Sequence, residues 1–226
     1  MGRFVDIFID QFRTISTLQG TENPGYVWMW ILMVVLVIGI LISLERFFFL
    51  WMKAGSVNAE KFMANVMKHS ENKDFEKAHE FCRKAKGSSL PYVIGKGVAA
   101  AKAKETAEFR IVQNGVDTAM MEIMPQLQAR TAYINLIGSV ATLIGLAGTI
   151  FGLILAFDAV GQPGIPEAQK SQMLASGISA AMGTTIAGLF IAIPMNILYT
   201  VIIGKISKII DDIDEWSVKF VNLVQR

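Results

Sequence analysis

The fold is decided by residues 131–157, which read TAYINLIGSVATLIGLAGTIFGLILAF. This stretch has no charged side chain, yet small and hydroxyl-bearing residues recur along it at short intervals. They are Gly138, Ser139, Thr142, Gly145, Gly148, Thr149 and Gly152. A membrane helix that contacts only lipid is built mostly from Leu, Ile, Val and Phe. A face of glycines and hydroxyls in a bilayer therefore indicates close contact with another helix, or a path for a polar species.

Two further stretches of the chain carry no charge. One lies between Glu22 and Glu45, and the other lies between Lys170 and Lys205. Each of the three exceeds the ~20 residues that a helix needs to cross a ~30 Å hydrocarbon core. Because apolar types make up 53% of the 226 residues and are clustered in these stretches, a purely soluble fold is excluded. We therefore predict an all-α integral membrane protein with three transmembrane helices and long cytoplasmic helical extensions.

The lysines and arginines give the predicted orientation. They concentrate between residues 53 and 130 and in the tail, and they are sparse elsewhere. The positive-inside rule places those two segments in the cytoplasm and the N-terminus outside. The predicted segments are an outer N-terminal helical segment at 1–25, a span at 26–52, a cytoplasmic helical region at 53–130, a span at 131–157, an outer loop at 158–175, a span at 176–204 and a cytoplasmic helix at 205–226.

The polar segments also have helical patterns. Residues 3–18 predict a short amphipathic helix that lies on the outer surface of the membrane. Residues 57–87 predict two short helices joined near residues 71–73. Pro91 suits the start of a further helix, and one or two long helices follow as far as Arg130. We expect Pro125 to kink or divide that last stretch.

The third span repeats the small and polar character of the second in its first half. The residues that give it this character include Ser179, Gly183, Thr184, Thr185 and Gly188, and Pro194 is expected to bend the helix further on. Thr149 and Thr185 fall near the middle of the bilayer in their spans. Each hydroxyl could simply bond to a carbonyl of its own helix, as threonine often does in membranes. The alternative is that they line an ion path together with Thr142, Thr184 and Ser179. We assign a second set of residues to helix packing, where they admit a neighbouring backbone: Gly145, Gly148, Gly152, Gly183, Gly188 and Pro194.

The second and third spans contain no Asp, Glu, Lys, Arg or His. Threonine and serine hydroxyls cannot take up and release a proton near neutral pH. A proton path through this chain would therefore need a carboxylate supplied by another chain. This absence is the most specific functional constraint that the residues themselves give.

The remaining candidate groups give weaker signals. Glu45 and Arg46 close the first span, where they either anchor it at the membrane surface or form an ion pair with a neighbouring subunit. Cys82 is the only cysteine, so no disulfide can form within the chain. We find no metal-ligand spacing, phosphate-binding loop or nucleophile–base arrangement, and we expect no enzyme activity, cofactor or metal. The net charge of +2 is spread among acidic residues, so we expect no nucleic-acid partner.

Two stretches of the sequence resemble a known family. Residues 136–154, LIGSVATLIGLAGTIFGLI, and residues 176–194, SGISAAMGTTIAGLFIAIP, are similar to the second-span and third-span signatures of the ExbB/TolQ/MotA family of proton-channel stator proteins. Leu44-Glu45-Arg46 resembles the end of the first span of such proteins. Three spans fit ExbB and TolQ better than four-span MotA.

The resemblance implies an assembly and a site. Such proteins form homo-pentamers in the bacterial inner membrane around two copies of a single-span ExbD- or TolR-like partner, whose intramembrane Asp carries the proton. A TonB- or TolA-like protein and lipids complete the implied partners. The family threonines correspond to Thr149 and Thr185. The chain departs from many relatives at Ala180, where they have Glu, and at Thr142, where they have Pro; the added hydroxyls of Thr142 and Thr184 could favour another cation.

The implied function is to energise envelope processes, such as biopolymer or TonB-dependent transport, with the proton motive force. One alternative is a non-conducting membrane scaffold in which the small residues serve only for helix packing. Another is a stator subunit of the motility type. A solute transporter is disfavoured because the sequence shows no inverted repeats. The powered process and the choice between proton and sodium stay open at this point.

Overall fold

The computed structural model describes residues 9, 12, 26–54, 58–72, 74–85, 87–102 and 109–224. The helices among them are α1 (Tyr26–Phe48, continued by a π-helical turn at Phe49–Ala54), α2 (Ala59–Glu71), α3 (Phe75–Lys84), α4 (Ser89–Lys102), α5 (Phe109–Gln128), α6 (Thr131–Gly161) and α7 (Glu167–Val224). The described residues form helices and turns without strands, which confirms the all-α prediction. The amphipathic helix predicted at 3–18 falls largely outside the described residues.

Three helical stretches are long and apolar enough to cross a membrane. They are Tyr26–Met52, Phe109–Gly161 and Glu167–Val224, judged by length and composition. The second and third of these contain the uncharged stretches 131–157 and 171–204, and the first contains the uncharged residues from Tyr26 to Leu44. The expectation of three apolar spanning helices is therefore confirmed, and the exact membrane boundaries stay a prediction.

The prediction that residues 158–175 form a loop is wrong, because most of them are helical. Helix α6 continues to Gly161 and α7 already begins at Glu167, so only residues 162–166 connect them. Gly164 lies in this turn with a φ of +91°, a conformation that favours glycine. The predicted ends of the spans were placed at the first charged residues. Charges mark the end of an apolar stretch, but a helix can continue beyond that stretch into water. For the same reason α7 runs through Gly204 as far as Val224.

The two helix-internal prolines do not divide their helices. Pro125 lies inside α5 and Pro194 lies inside α7, and both helices continue past them. Of the two expectations for Pro125, division of the helix is therefore wrong and a kink stays a prediction. The chain breaks instead between α5 and α6. There Arg130 has a φ of 59°, which is unusual for a residue with a side chain.

The chain divides into two compact units. The first comprises Met1–Ser43 and Tyr133–Tyr199, and the second comprises Leu44–Ala132 and Thr200–Arg226. In the first unit, α1 packs closely at Gly39, where an added Cβ would lie 3.1 Å from Ile137 Cγ2 and 3.1 Å from Met195 Sδ. The three apolar helices thus contact each other directly in this unit.

The second unit is held by larger side chains. Helices α2 and α3 are the two short helices predicted before residue 87; Asn58 caps α2 and Asp74 caps α3 by accepting bonds from backbone N–H groups. Phe62 and Phe81 stack with ring centroids 5.3 Å apart. We call Phe62, Val66, Val116 and Phe220 the bundle core; all four are buried, and Val66 and Phe220 are fully so.

Candidate ion-path face

Helices α6 and α7 meet through their backbones. A Cβ added at Gly188 would lie 2.6 Å from the Ala141 carbonyl oxygen and 3.2 Å from the Cα of Gly145. No side chain stands between the helices at this point. Such an approach is the geometry that small residues allow in membrane helix pairs.

The contact extends along both helices. A Cβ added at Gly148 would lie 2.7 Å from Thr184 Oγ1, one at Gly152 would lie 3.1 Å from the Cβ of Ala181, and one at Gly177 would lie 2.3 Å from the Cβ of Ala156. We call Gly145, Gly148, Gly152, Gly177 and Gly188 the glycine seam. It contains four of the six residues that the sequence analysis assigned to helix packing.

The other two predicted packing residues differ from each other in burial. Gly183 is buried, whereas Pro194 is exposed on the surface of the chain. Gly177 was missed as a packing residue, although it lies in the same run of small residues at the start of the third span. Its close approach to Ala156 depends on how α7 faces α6, which spacing along one helix does not reveal.

Two threonine hydroxyls converge on one backbone oxygen across the seam. Thr184 Oγ1 lies 3.2 Å from the carbonyl oxygen of Gly145 and 2.8 Å from that of Ala181. Thr185 Oγ1 donates to the same Gly145 oxygen at 3.3 Å. The side chain of Thr184 has no exposed surface, so this residue serves the contact between helices. The structure therefore separates Thr184, which packs, from the partly exposed Thr185.

Thr142 and Thr149 lie on a neighbouring strip of α6. Thr142 is exposed and donates to the Gly138 carbonyl at 3.1 Å, while Thr149 is partly exposed and donates to the Leu146 carbonyl at 2.6 Å. Both bonds stay within α6, as expected for threonine in a membrane helix. Their oxygens remain at the surface of the chain, and Ser179 on α7 is also partly exposed. We call Thr142, Thr149 and Thr185 the hydroxyl face.

The surroundings of the hydroxyl face carry no charge. Residues 131–157 and 171–204 contain no acidic residue, basic residue or histidine, and Tyr133 and Tyr199 are their only titratable side chains. Among the residues that the structure describes, no group of three or more His, Cys, Asp or Glu side chains could hold a metal ion. The face can therefore offer hydrogen bonds to a polar species, but the titrating group is absent from these stretches.

The charged pair at the end of the first span is used within the chain. Arg130 donates to both carboxylate oxygens of Glu45, at 2.8 and 2.7 Å. Arg46 has a side chain only 7% exposed, contacts Glu45 at 3.7 Å and donates to the Gln126 carbonyl. Glu45 thus meets an arginine of its own chain, and Arg46 points inward instead of reaching toward lipid. Sequence reasoning missed Arg130, because no local signal joins residues that are 85 positions apart.

Cys82 is buried on α3. Burial raises the pKa of its thiol to about 12, so almost no thiolate forms at neutral pH. This cysteine is an unreactive structural residue.

Comparison with known proteins places these features in a family. The sequence model of the "MotA/TolQ/ExbB proton channel family" matches residues 86–215, which contain the glycine seam and the hydroxyl face. The biopolymer transport protein ExbB of Aquifex aeolicus is 33% identical over 101 residues, covering 44% of this chain and 65% of that protein. The Tol-Pal system protein TolQ of Haemophilus influenzae is 32% identical over 111 residues, covering 49% of this chain and 47% of TolQ.

The matched stretch thus spans about half to two thirds of the length of these relatives. A solved structure described as C. jejuni MotAB aligns with 98% of this chain and 86% of its own, with a TM-score of 0.52 and 16% identity, a likeness that concerns the fold alone. The family model covers more than half of the sequence, including both helices that form the seam. This chain therefore belongs to the MotA/TolQ/ExbB proton channel family.

Proposed function

We propose that this chain is the ion-path subunit of an inner-membrane motor driven by the proton motive force. The observation that carries the proposal is the hydroxyl face beside the glycine seam, in spans that contain no titratable carboxylate. Such a face can bind a polar species at membrane depth but cannot itself release a proton. A second chain with an intramembrane carboxylate would complete the path.

The proposed assembly is a homo-pentamer around two copies of a single-span ExbD- or TolR-like protein. The partner's intramembrane Asp takes up a proton beside Thr149 and Thr185 and releases it on the cytoplasmic side. Its movement past successive copies of the hydroxyl face drives rotation or rearrangement of the two components. The partner's outer domain then transmits work across the envelope, directly or through a TonB- or TolA-like protein.

In this arrangement the threonines have different roles. Thr149 and Thr185 line the path, with Thr142 further along the same strip of α6. Thr184 holds α7 against α6, because its hydroxyl is buried and its single proton faces two backbone oxygens, that of Ala181 on α7 and that of Gly145 on α6. The seam thereby fixes the position of the neighbouring hydroxyl face. No step requires enzyme chemistry or a cofactor.

The proposed orientation follows from charge. The N-terminus and the short turn at 162–166 lie on the periplasmic side, and α2 to α5 with the end of α7 lie in the cytoplasm. The basic residues between 53 and 130 and after residue 204 support this assignment through the positive-inside rule. Proteolysis of sealed vesicles of known orientation would test it.

The test of function uses the complex isolated from its host membrane and returned to lipid vesicles. Native mass measurement gives the numbers of each subunit, and a pH-sensitive dye in the vesicles reports proton entry under an imposed potential. We expect the Thr149→Val and Thr185→Val double variant to assemble normally and to lose proton entry. Full proton entry in that variant, or a complex with no single-span partner, would favour the scaffold alternative.

A further inference from the structure

Helices α3 and α4 are joined by a tight turn and lie against each other. Gly87 lies in the turn with a φ of +107°, a conformation that favours glycine. A Cβ added at Gly95 of α4 would lie 3.2 Å from the Cβ of Cys82 on α3. His79 Nδ1 of α3 donates to the Gly95 carbonyl oxygen at 3.3 Å. The two helices therefore touch at a glycine, and space is left beside this contact.

The space is a cavity of about 220 Å³ whose wall is almost wholly apolar. Buried residues of the wall include Cys82, Ser88, Pro91 and Gly95. Ser88 Oγ donates to the Ala54 carbonyl oxygen at 3.1 Å, and the Cys82 thiol stays neutral because burial raises its pKa to about 12. A dry apolar cavity of ~150 Å³ binds benzene, so by volume this one suits an apolar body of roughly nine carbon atoms.

The rim of the cavity is basic. Arg83 on α3 and Lys96 on α4 both line it and are exposed, and neither makes an ion pair with another residue that the structure describes. The Lys96 ammonium lies 5.5 Å from the centre of the Tyr92 ring, which holds it beside the opening. Glu122 accepts the Tyr92 hydroxyl proton but does not line the cavity, and none of the described lining residues is acidic. The opening therefore attracts an anion.

We propose that this cavity, which we call the α3–α4 pocket, binds a small organic acid whose apolar body fills the cavity and whose carboxylate meets Arg83 and Lys96. An apolar body gains by leaving water for an apolar wall, and a few polar groups at the mouth fix its orientation. The guanidinium of Arg83 can give charge-assisted hydrogen bonds to both carboxylate oxygens. A bound acid then bridges α3 and α4.

The α3–α4 pocket is built without the residues of the ion path. All of its lining residues belong to the second compact unit, whereas the hydroxyl face belongs to the first. In the orientation proposed above it faces the cytoplasm, so it adds a dissolved ligand to the membrane-embedded partners of the chain. Its test needs no measurement of proton entry.

The test compares a charged probe with an uncharged one of the same shape. Titration calorimetry measures the binding of β-naphthoate and of β-naphthamide to the isolated complex in lipid nanodiscs, with empty nanodiscs as the blank. We expect naphthoate to bind about tenfold more tightly, the combined effect of two exposed cations. The Arg83→Gln and Lys96→Gln double variant should bind both probes alike. Lys84→Gln is the matched control and should behave as the unmodified chain, because Lys84 pairs with Glu80 and does not line the pocket.

Filling the cavity gives a second test that does not depend on charge. Ala99 lines the pocket and is half-buried, so Ala99→Phe should abolish the binding of both probes. Ala85→Leu narrows the same cavity from the end of α3 and replaces that variant if it does not assemble. Equal binding of the two probes by the unmodified complex, or full binding by the filled variants, would overturn the inference. So would a complex that binds neither probe, as when a neighbouring copy covers the pocket.

Discussion

The glycine seam and the bundle core hold helices together by opposite means. In the seam, α6 and α7 meet backbone to backbone, and a single added carbon at Gly188 would stand 2.6 Å from a carbonyl oxygen. In the bundle core, the contacts come from large side chains such as Phe220, which is fully buried. Adding atoms should therefore do most damage in the first region, and removing atoms should do most damage in the second. The seam leaves little room for movement between α6 and α7, and the threonines of the hydroxyl face lie beside it.

Truncation of Phe220 should give the largest loss of stability. Its ring approaches Gly97, where an added Cβ would lie 3.3 Å from Phe220 Cε1. Because the side chain is fully buried, Phe220→Ala should lower the free energy of unfolding by about 3–5 kcal/mol. The measurement is chemical denaturation in detergent micelles. Val218→Ala is the matched control, since Val218 is 62% exposed two positions away, and a similar loss there would contradict the assignment of the core.

Enlargement of Gly188 should come next. Gly188→Ala forces the new Cβ against the Ala141 carbonyl, and overpacking of this kind destabilises a protein by about 1–3 kcal/mol. Gly204→Ala is the control on the same helix, because nothing lies within 4 Å of a Cβ added there. We expect Gly204→Ala to be neutral or slightly stabilising in thermal unfolding. If both variants melt alike, the helices do not meet at Gly188 as described.

Removal of the Thr184 hydroxyl should have a smaller effect. Thr184→Val keeps the shape of the side chain but loses its bond to the Gly145 carbonyl across the seam. Hydrogen bonds between membrane helices contribute about 0.5–2 kcal/mol, so we expect a loss in that range. Thr142→Val loses only a bond within its own helix and serves as the comparison. A larger loss of stability at Thr142 than at Thr184 would reverse the roles given to the two residues.

Disruption of the Glu45–Arg130 pair should have the smallest effect. The side chains are 46% and 59% exposed, and ion pairs of this kind contribute about 0.2–1 kcal/mol. Arg130→Gln should therefore lower stability only slightly, with Lys219→Gln as a control on an ordinary pair within one helix turn. If Arg130→Gln instead prevents assembly of the oligomer, then Glu45 and Arg130 act between subunits.

Much of the fold could be predicted because a bilayer imposes simple rules. The three uncharged stretches identified the apolar helices, and the spacing of small residues identified Gly145, Gly148, Gly152 and Gly188 before their contacts were known. The boundaries were less predictable, since a helix such as α7 leaves the apolar stretch without any change in backbone conformation. The turn at Arg130 was missed for a similar reason: the φ of 59° depends on how two helices join, and nothing in the local residue types requires it.

The site was predictable in part. The sequence analysis assigned both Thr184 and Thr185 to the ion path, but only the rotation of α7 distinguishes the buried Thr184 from the partly exposed Thr185. The pairing of Glu45 with Arg130 joins residues far apart in sequence, so the sequence predicted only membrane anchoring or an ion pair with a neighbouring subunit for Glu45 and Arg46. The spacing of residues in the sequence shows which of them share a face of one helix. Whether that face is buried depends on how a second helix packs against it.

The central claim is that Thr184 packs helices while Thr149 lines a path, and thiol labelling tests it most directly. Thr149→Cys and Thr184→Cys are introduced separately into a chain that carries Cys82→Ala. Each assembled complex is treated with a small cationic thiol reagent, and the rate of labelling is measured. Thiols react as thiolates, which need water to form, so we expect the cysteine at position 149 to react about tenfold or more faster. Equal rates, or faster labelling at position 184, would contradict the assignment of the hydroxyl face.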